Sequence, residues 1–119
     1  MISIRRLIKS FSHALRGVRV VFKNEQSFRL QSFAAVVIIL LAIWFHVSVF
    51  EWIVLLLLIG LVLTLELINS VFERIVDTFK PRIHPIVRDI KDIMAATVLL
   101  MSLVALVIGV MIFSLLLFS

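Results

Sequence analysis

The sequence predicts an all-α integral membrane protein: an N-terminal amphipathic surface helix followed by three transmembrane helices. Three observations carry that expectation. The 119 residues are 63% hydrophobic, with a mean hydropathy of +1.24, too apolar for a soluble domain of this length. Three apolar stretches approach the roughly 20 residues that a helix needs to cross hydrocarbon. Every Lys and Arg lies outside those stretches. A chain this short is expected to form one compact unit, residues 1–119.

The first element covers residues 3–23. Ile4, Leu7, Ile8, Phe11, Ala14, Leu15, Val18, Val21 and Phe22 share one helical face, and Arg5, Arg6, Lys9, Arg16, Arg19 and Lys23 the other. A two-faced, cation-rich helix lies in the headgroup plane, although the pattern also fits a helix packed on a soluble core. Arg16, Gly17 and Arg19 interrupt any signal-peptide core, and no cleavage motif follows. Residues 1–30 therefore read as the surface helix and the segment that leads into the membrane.

The first span is expected at 31–46, from Gln31 to His46, and is short. The second is expected at 50–68 and the third at 93–118. Trp44 and Trp52 flank the connection between the first two, as in an aromatic belt. The second helix is expected to run on to Asp77 or just beyond. A turn follows over Lys80-Pro81-Arg82-Ile83-His84-Pro85, where prolines bias the preceding residues away from helix. Asp89, Lys91 and Asp92 then fall in the first turns of the last helix.

Charge sets the orientation. Arg5, Arg6, Lys9, Arg16, Arg19, Lys23 and Arg29 precede the first span, and Arg74, Lys80, Arg82, Arg88 and Lys91 separate the second from the third. The 46–51 connection and the C-terminus carry no Lys or Arg. The positive-inside rule then places the N-terminus and the 74–92 segment in the cytoplasm and the C-terminus outside. The net charge of +5 fits anionic headgroups rather than nucleic acid, because the cations flank apolar segments. With no cysteine, a disulfide framework and a thiolate metal site are both excluded.

The chemistry concentrates at the end of the second span. At about 100° per residue, Asn69, Glu73 and Asp77 lie about −60°, −20° and +20° from Glu66 around the helix. A carboxylate in hydrocarbon is costly and usually faces a bundle interior or a substrate path. Three on one stripe with an amide suggest a metal or phosphate site. Glu25 precedes the first span at a depth where it can meet Glu73, and Glu66 lies about 10 Å deeper than Glu73 at 1.5 Å per residue. Lys91 and Asp92 open the third helix, and Ala95 and Ala96 beyond them allow close helix approach. The three glycines, Gly17, Gly60 and Gly109, are too scattered for a phosphate-binding loop. Any ATP phosphates must therefore be held by a divalent ion and charged side chains.

Plainer readings stand beside these. Glu25 also fits a headgroup-level charge or a helix cap. Glu73 and Asp77 also fit solvated partners of Arg74, Lys80 or Arg82, and Lys91 and Asp92 fit routine flanking charges. Glu66 resists such a reading, because so short a side chain snorkels poorly from that depth. His46 and Glu51 read as interface residues, and His13 and His84 as polar-face and loop residues. No histidine pair has metal-ligand spacing.

In Asn24-Glu25-x-x-Phe28-Arg29, Glu66-Leu-Ile-Asn69-Ser70-x-x-Glu73-x-x-x-Asp77 and Lys91-Asp92-x-x-Ala95-Ala96, the chain resembles the small prokaryotic diacylglycerol kinase family, which includes undecaprenol kinases. Ala14 and Gly17 match as small residues on the surface helix. The likeness covers essentially the whole chain. It implies a homotrimeric bundle in the bacterial inner membrane, with sites at subunit interfaces that transfer the γ-phosphate of ATP to a lipid alcohol. It further implies Glu66 as general base and Glu25 and Glu73 as ligands of the Mg2+–ATP complex. Asn69, Ser70, Lys91 and Asp92 would position phosphate and lipid, Ala14 and Gly17 would border the nucleotide, and Arg29 and Asp77 would support the site.

Substrate choice divides on two positions. The His84-Pro85 pair resembles the undecaprenol branch. Gln31 stands where the diacylglycerol branch usually carries an acid and the undecaprenol branch a histidine. Undecaprenol is slightly favoured over diacylglycerol. A different class of function, a small transporter or ion-conducting oligomer with Glu66 as coupling carboxylate, usually needs a broken helix near the midplane. The sequence has no proline or glycine near its acids to break one.

Overall fold

The structure, a computed structural model, describes residues 1–78 and 85–118. It is all-helical: α1 (Ile4–Asn24), α2 (Gln26–Trp44), α3 (Val49–Thr78) and α4 (Pro85–Leu117). Three of these, α2, α3 and α4, are long and apolar enough to cross a membrane. α3 is the hub, packing against α1, α2 and α4. Much of the apolar surface of the spans, including Leu40, Leu57, Leu100 and Leu106, is exposed on the isolated chain. That exposure suits hydrocarbon rather than water as the surrounding solvent.

Each helix boundary has a local cause. Ser3 caps α1 by accepting from the Arg6 backbone N–H. Glu25 alone separates α1 from α2. Its extended backbone (φ −113°, ψ 111°) ends one helix and begins the next. Arg29 secures this corner by donating from Nη1 to the carbonyls of Phe22 and Lys23, each at 2.8 Å. The Phe22 and Phe28 rings meet edge to face across it at 6.4 Å. Ser48 and Glu51 start α3 with reciprocal bonds between side chain and backbone, of 3.0 and 3.2 Å, the pattern of a capping box.

Helix limits depart from expectation at three places. α2 begins at Gln26 rather than near Gln31 and stops at Trp44. Phe45 is its C-cap, and His46 has φ 52°, a left-handed residue that terminates the helix. α3 runs unbroken to Thr78, as its continuation past Asp77 required. α4 begins at Pro85, well before Asp89. Proline lacks only an N–H that a first-turn residue leaves unbonded anyway, so Pro85 starts the helix instead of excluding it. Lys91 and Asp92 consequently sit in its second turn. Lys80, Pro81, Arg82, Ile83 and His84, expected to form the turn, lie outside the described residues.

At the end of the bundle near the α2–α3 connection, Ala42, Val47 and Leu55 form a buried cluster covered by Trp52, Phe45 and Phe113. Ala42 is 0% exposed. The small side chain lets α2 approach its neighbours closely, as in other membrane helix pairs. Phe45 and Phe113 stack at 5.8 Å with a 56° tilt. The opposite end of α3 carries the polar residues.

Candidate functional site

Among the described residues Glu66, on α3, is the most buried charged side chain, 4% exposed. The Ser27 hydroxyl on the first turn of α2 donates to its Oε1 at 2.6 Å. A buried carboxylate needs such partners. The contact exists because the Glu25 corner folds the start of α2 against α3.

One turn along α3, Ser70 is 1% exposed. It donates to Glu25 Oε1 at 3.3 Å. Arg74 donates from Nη1 to the Ser70 carbonyl at 3.3 Å and to its hydroxyl, and lies 3.6 Å from Glu25 Oε1. Glu25 occupies the N-cap position of α2 yet makes no side-chain cap hydrogen bond. Its carboxylate turns across to α3, so the helix-cap reading does not describe it. Its contacts are Ser70 and Arg74, on the face beside Glu73.

Asn69 Nδ2 donates to Glu73 Oε1 at 3.5 Å, at the long limit of a hydrogen bond. Asn69 Oδ1 is buried and has no hydrogen-bond partner among the described residues. Buried acceptors are rarely left unpaired, so this oxygen can take a donor or a cation. Beyond it, Asp77 pairs with Lys91 of α4 at 2.5 Å, so α4 meets the stripe at its outermost carboxylate. Asp92, Ala14, Ala95 and Ala96 are exposed; neither alanine of the 95–96 pair is covered by another helix of the same chain. Gly17 lines a groove between α1 and α3 that Arg74 also borders.

Asn69 and Glu73 pair on α3 and Glu25 meets Ser70 and Arg74 beside them; carboxylate and amide oxygens are the kind a hard cation takes. Among the described residues no cluster of three acidic or imidazole groups could hold a metal unaided. Phosphate oxygens and water would therefore complete any magnesium shell, the usual arrangement for that ion.

A cleft of about 310 Å³ begins one turn deeper than Glu66, at Val62 and Leu63, and runs between α2, α3 and α4 to Phe113. Its lining is apolar except for Gln31 and Ser102, whose side chains hydrogen-bond at 2.8 Å through Gln31 Nε2. Sequence reasoning missed Ser27 and treated Arg74 only as a counter-charge. Both lie near marked residues, but their contacts depend on the Glu25 corner, which no spacing rule reveals.

Comparison with known proteins identifies relatives of this chain. The model of the family described as prokaryotic diacylglycerol kinase matches residues 12–113. An undecaprenol kinase of Bacillus subtilis is 33% identical over 92% of this chain and 89% of its own length. A diacylglycerol kinase of Escherichia coli K12 is 29% identical over 86% and 84%. One from Synechocystis is 35% identical over 87% of this chain and 59% of its own length. The family match spans the Glu25 corner, the α3 stripe and the start of α4 together, and every relative named above is a lipid kinase: the chain belongs to the prokaryotic diacylglycerol kinase family.

Proposed function

We propose that the protein transfers the γ-phosphate of ATP to the hydroxyl of a membrane lipid alcohol at the cytoplasmic membrane face. The observation that carries this reading is the buried Glu66 carboxylate, fixed by Ser27 through one oxygen. Its other oxygen accepts the proton of the lipid hydroxyl. The hydroxyl oxygen then bonds to the γ-phosphorus as the bond from that phosphorus to the β-phosphate oxygen breaks, and ADP leaves. Such transfer depends on positioning and charge neutralisation. Glu25, Glu73 and Asn69 Oδ1 would hold Mg2+, which neutralises phosphate charge when bound. Ser70 positions Glu25, Lys91 and Asp92 border the phosphates, and Asp77 holds Lys91. Arg29 keeps the corner closed.

α1 fits the membrane surface in this reading. Val21 is its one buried residue, and the apolar side chains Ile4, Leu7, Phe11 and Leu15 are exposed, as an interfacial helix requires. Basic residues place the N-terminus in the cytoplasm and the C-terminus outside the inner membrane; a C-terminal reporter active only in the cytoplasm would contradict this. Homotrimerisation covers the half-exposed Glu73 side and the small Ala95–Ala96 surface of α4. A fully active monomer in native mass spectrometry would exclude it. The unbroken α3 removes the split helix on which a transporter reading usually depends.

The substrate favoured is undecaprenol. A donor to an ester carbonyl would select diacylglycerol; Gln31 stands where that branch usually carries an acid, and its amide gives one of its two N–H groups to Ser102. The His84 half of the His84-Pro85 argument lies outside the described residues. Radiolabelled ATP with both lipids competing in mixed detergent micelles tests the reading. Phosphorylation of neither lipid would reject the kinase activity. A preference for diacylglycerol of about tenfold or more, about 1.4 kcal/mol, would reverse the substrate assignment.

A further inference from the structure

Ser27 does more than a buried carboxylate's partner needs to do. The residue is exposed on the isolated chain, although the acid it meets is 4% exposed. Its hydroxyl already donates, at 2.6 Å, to the carboxylate that takes the lipid proton in the reading above. It also follows Glu25 by two residues. We propose that Ser27 is itself a phosphoryl acceptor: when no lipid alcohol is bound, the γ-phosphate of ATP is transferred to the Ser27 hydroxyl. The inference rests on the kinase reading.

The step balances as lipid transfer does. Ser27 Oγ bonds to the γ-phosphorus as the bond from that phosphorus to the β-phosphate oxygen breaks. ADP leaves with the electron pair, and the Ser27 proton passes to Glu66 Oε1. No further reactant enters. A general base must lie within hydrogen-bond reach of the proton it removes, and here it does.

Placement favours the same atom. Glu25 meets Ser70 and Ser27 meets Glu66, so the corner lays these two residues against successive turns of α3. Four residues separate those turns, about 6 Å along the axis. A terminal phosphate that reaches a lipid hydroxyl beside Glu66 therefore arrives beside Ser27 as well. Ser70 is the rival acceptor, but it is 1% exposed, donates to Glu25 and accepts from Arg74. Phosphorus has no approach to it.

The product suits its surroundings too. Ser27 lies in the first turn of α2, where Glu25 makes no side-chain cap hydrogen bond. First-turn N–H groups lack helical partners, and a phosphate at a helix N-terminus gains from them and from the helix dipole. The same group consumes the hydroxyl proton that fixes Glu66 and sets negative charge beside that carboxylate. Phosphorylated Ser27 therefore turns the lipid-starved enzyme off.

Full-length, delipidated protein in dodecyl maltoside, incubated with Mg2+ and radiolabelled ATP and mapped by mass spectrometry, tests this. The wild type is expected to acquire an acid-stable phosphate on Ser27. Ser27→Thr should carry it as phosphothreonine, Ser27→Ala should lose it, and Glu66→Gln should slow labelling roughly 10²–10⁴-fold. Excess lipid alcohol should suppress labelling by competing for the phosphoryl group. Pre-incubation with ATP should lower later lipid turnover in the wild type, with no such loss in Ser27→Ala. An unlabelled wild type that phosphorylates lipid normally overturns the proposal and leaves Ser27 only a partner of Glu66. So does a label that persists in folded Ser27→Ala, or one labile to hydroxylamine, which would place the phosphate on a carboxylate. If Ser27→Ala does not fold, the mapped position in the wild type and Ser27→Thr decides. Failure both to label the protein and to phosphorylate any lipid would reject the kinase reading itself.

Discussion

Ser27 and Glu66, 39 residues apart in sequence, are joined by a 2.6 Å hydrogen bond that holds the most buried acid of the chain. Two consequences are measurable. Glu66→Gln should lower kcat by roughly 10²–10⁴-fold, the usual contribution of a general base, while nucleotide affinity stays nearly constant. Ser27→Ala should lower kcat with little change in either KM, and Ser27→Thr should recover it, because threonine keeps the hydroxyl. Full activity in Glu66→Gln would end the proposed mechanism.

Removing either proposed ligand charge should act differently. Glu25→Gln and Glu73→Gln are each expected to raise the Mg2+ concentration needed for half-maximal rate, since each subtracts a carboxylate from a hard-cation site. Glu66→Gln should leave that concentration unmoved. A Mg2+ titration of residual activity separates the three, and identical titration curves would refute the division of roles.

The Asp77–Lys91 pair joins α3 to α4 at the polar end, but its side chains are 61% and 42% exposed. Exposed pairs contribute about 0–1 kcal/mol. Asp77→Asn should therefore shift the thermal midpoint in detergent only slightly. A loss above about 2 kcal/mol would mean that the pair is far better shielded than this geometry allows.

Ala42 offers the opposite case. It is completely covered by its neighbours, so Ala42→Leu should overpack the α2–α3 end and cost about 1–3 kcal/mol. The polar site lies at the other end of α3, so the folded fraction should retain its kcat. Unchanged stability would show that the cluster can open without penalty.

The sequence identified the helices because apolar length and cation placement are coarse, additive signals. The α3 stripe was legible for a similar reason: helical periodicity alone puts Glu66, Asn69, Glu73 and Asp77 on one side. Pro85 misled, because proline marks a break inside a helix but is at home in its first turn. The link from Glu25 to Ser70 and Arg74 was hidden. It follows from one extended residue between two helices, and tertiary direction at such a corner leaves no periodic trace. Ser27 was hidden for the same reason.

α3 is continuous for 30 residues, about 45 Å at 1.5 Å per residue, against about 30 Å of hydrocarbon. One rigid rod therefore carries the acid proposed for the lipid hydroxyl and, two turns higher, the acid proposed for the nucleotide. The vertical offset between the two reactants is set by helical rise rather than by a loop that can adjust. Membrane thickness then becomes a control on the enzyme: a thinner or thicker bilayer changes helix tilt and moves the lipid hydroxyl relative to a fixed phosphate. Turnover in vesicles should pass through an optimum as acyl-chain length is varied, a dependence that micelles, which have no fixed thickness, would not reproduce.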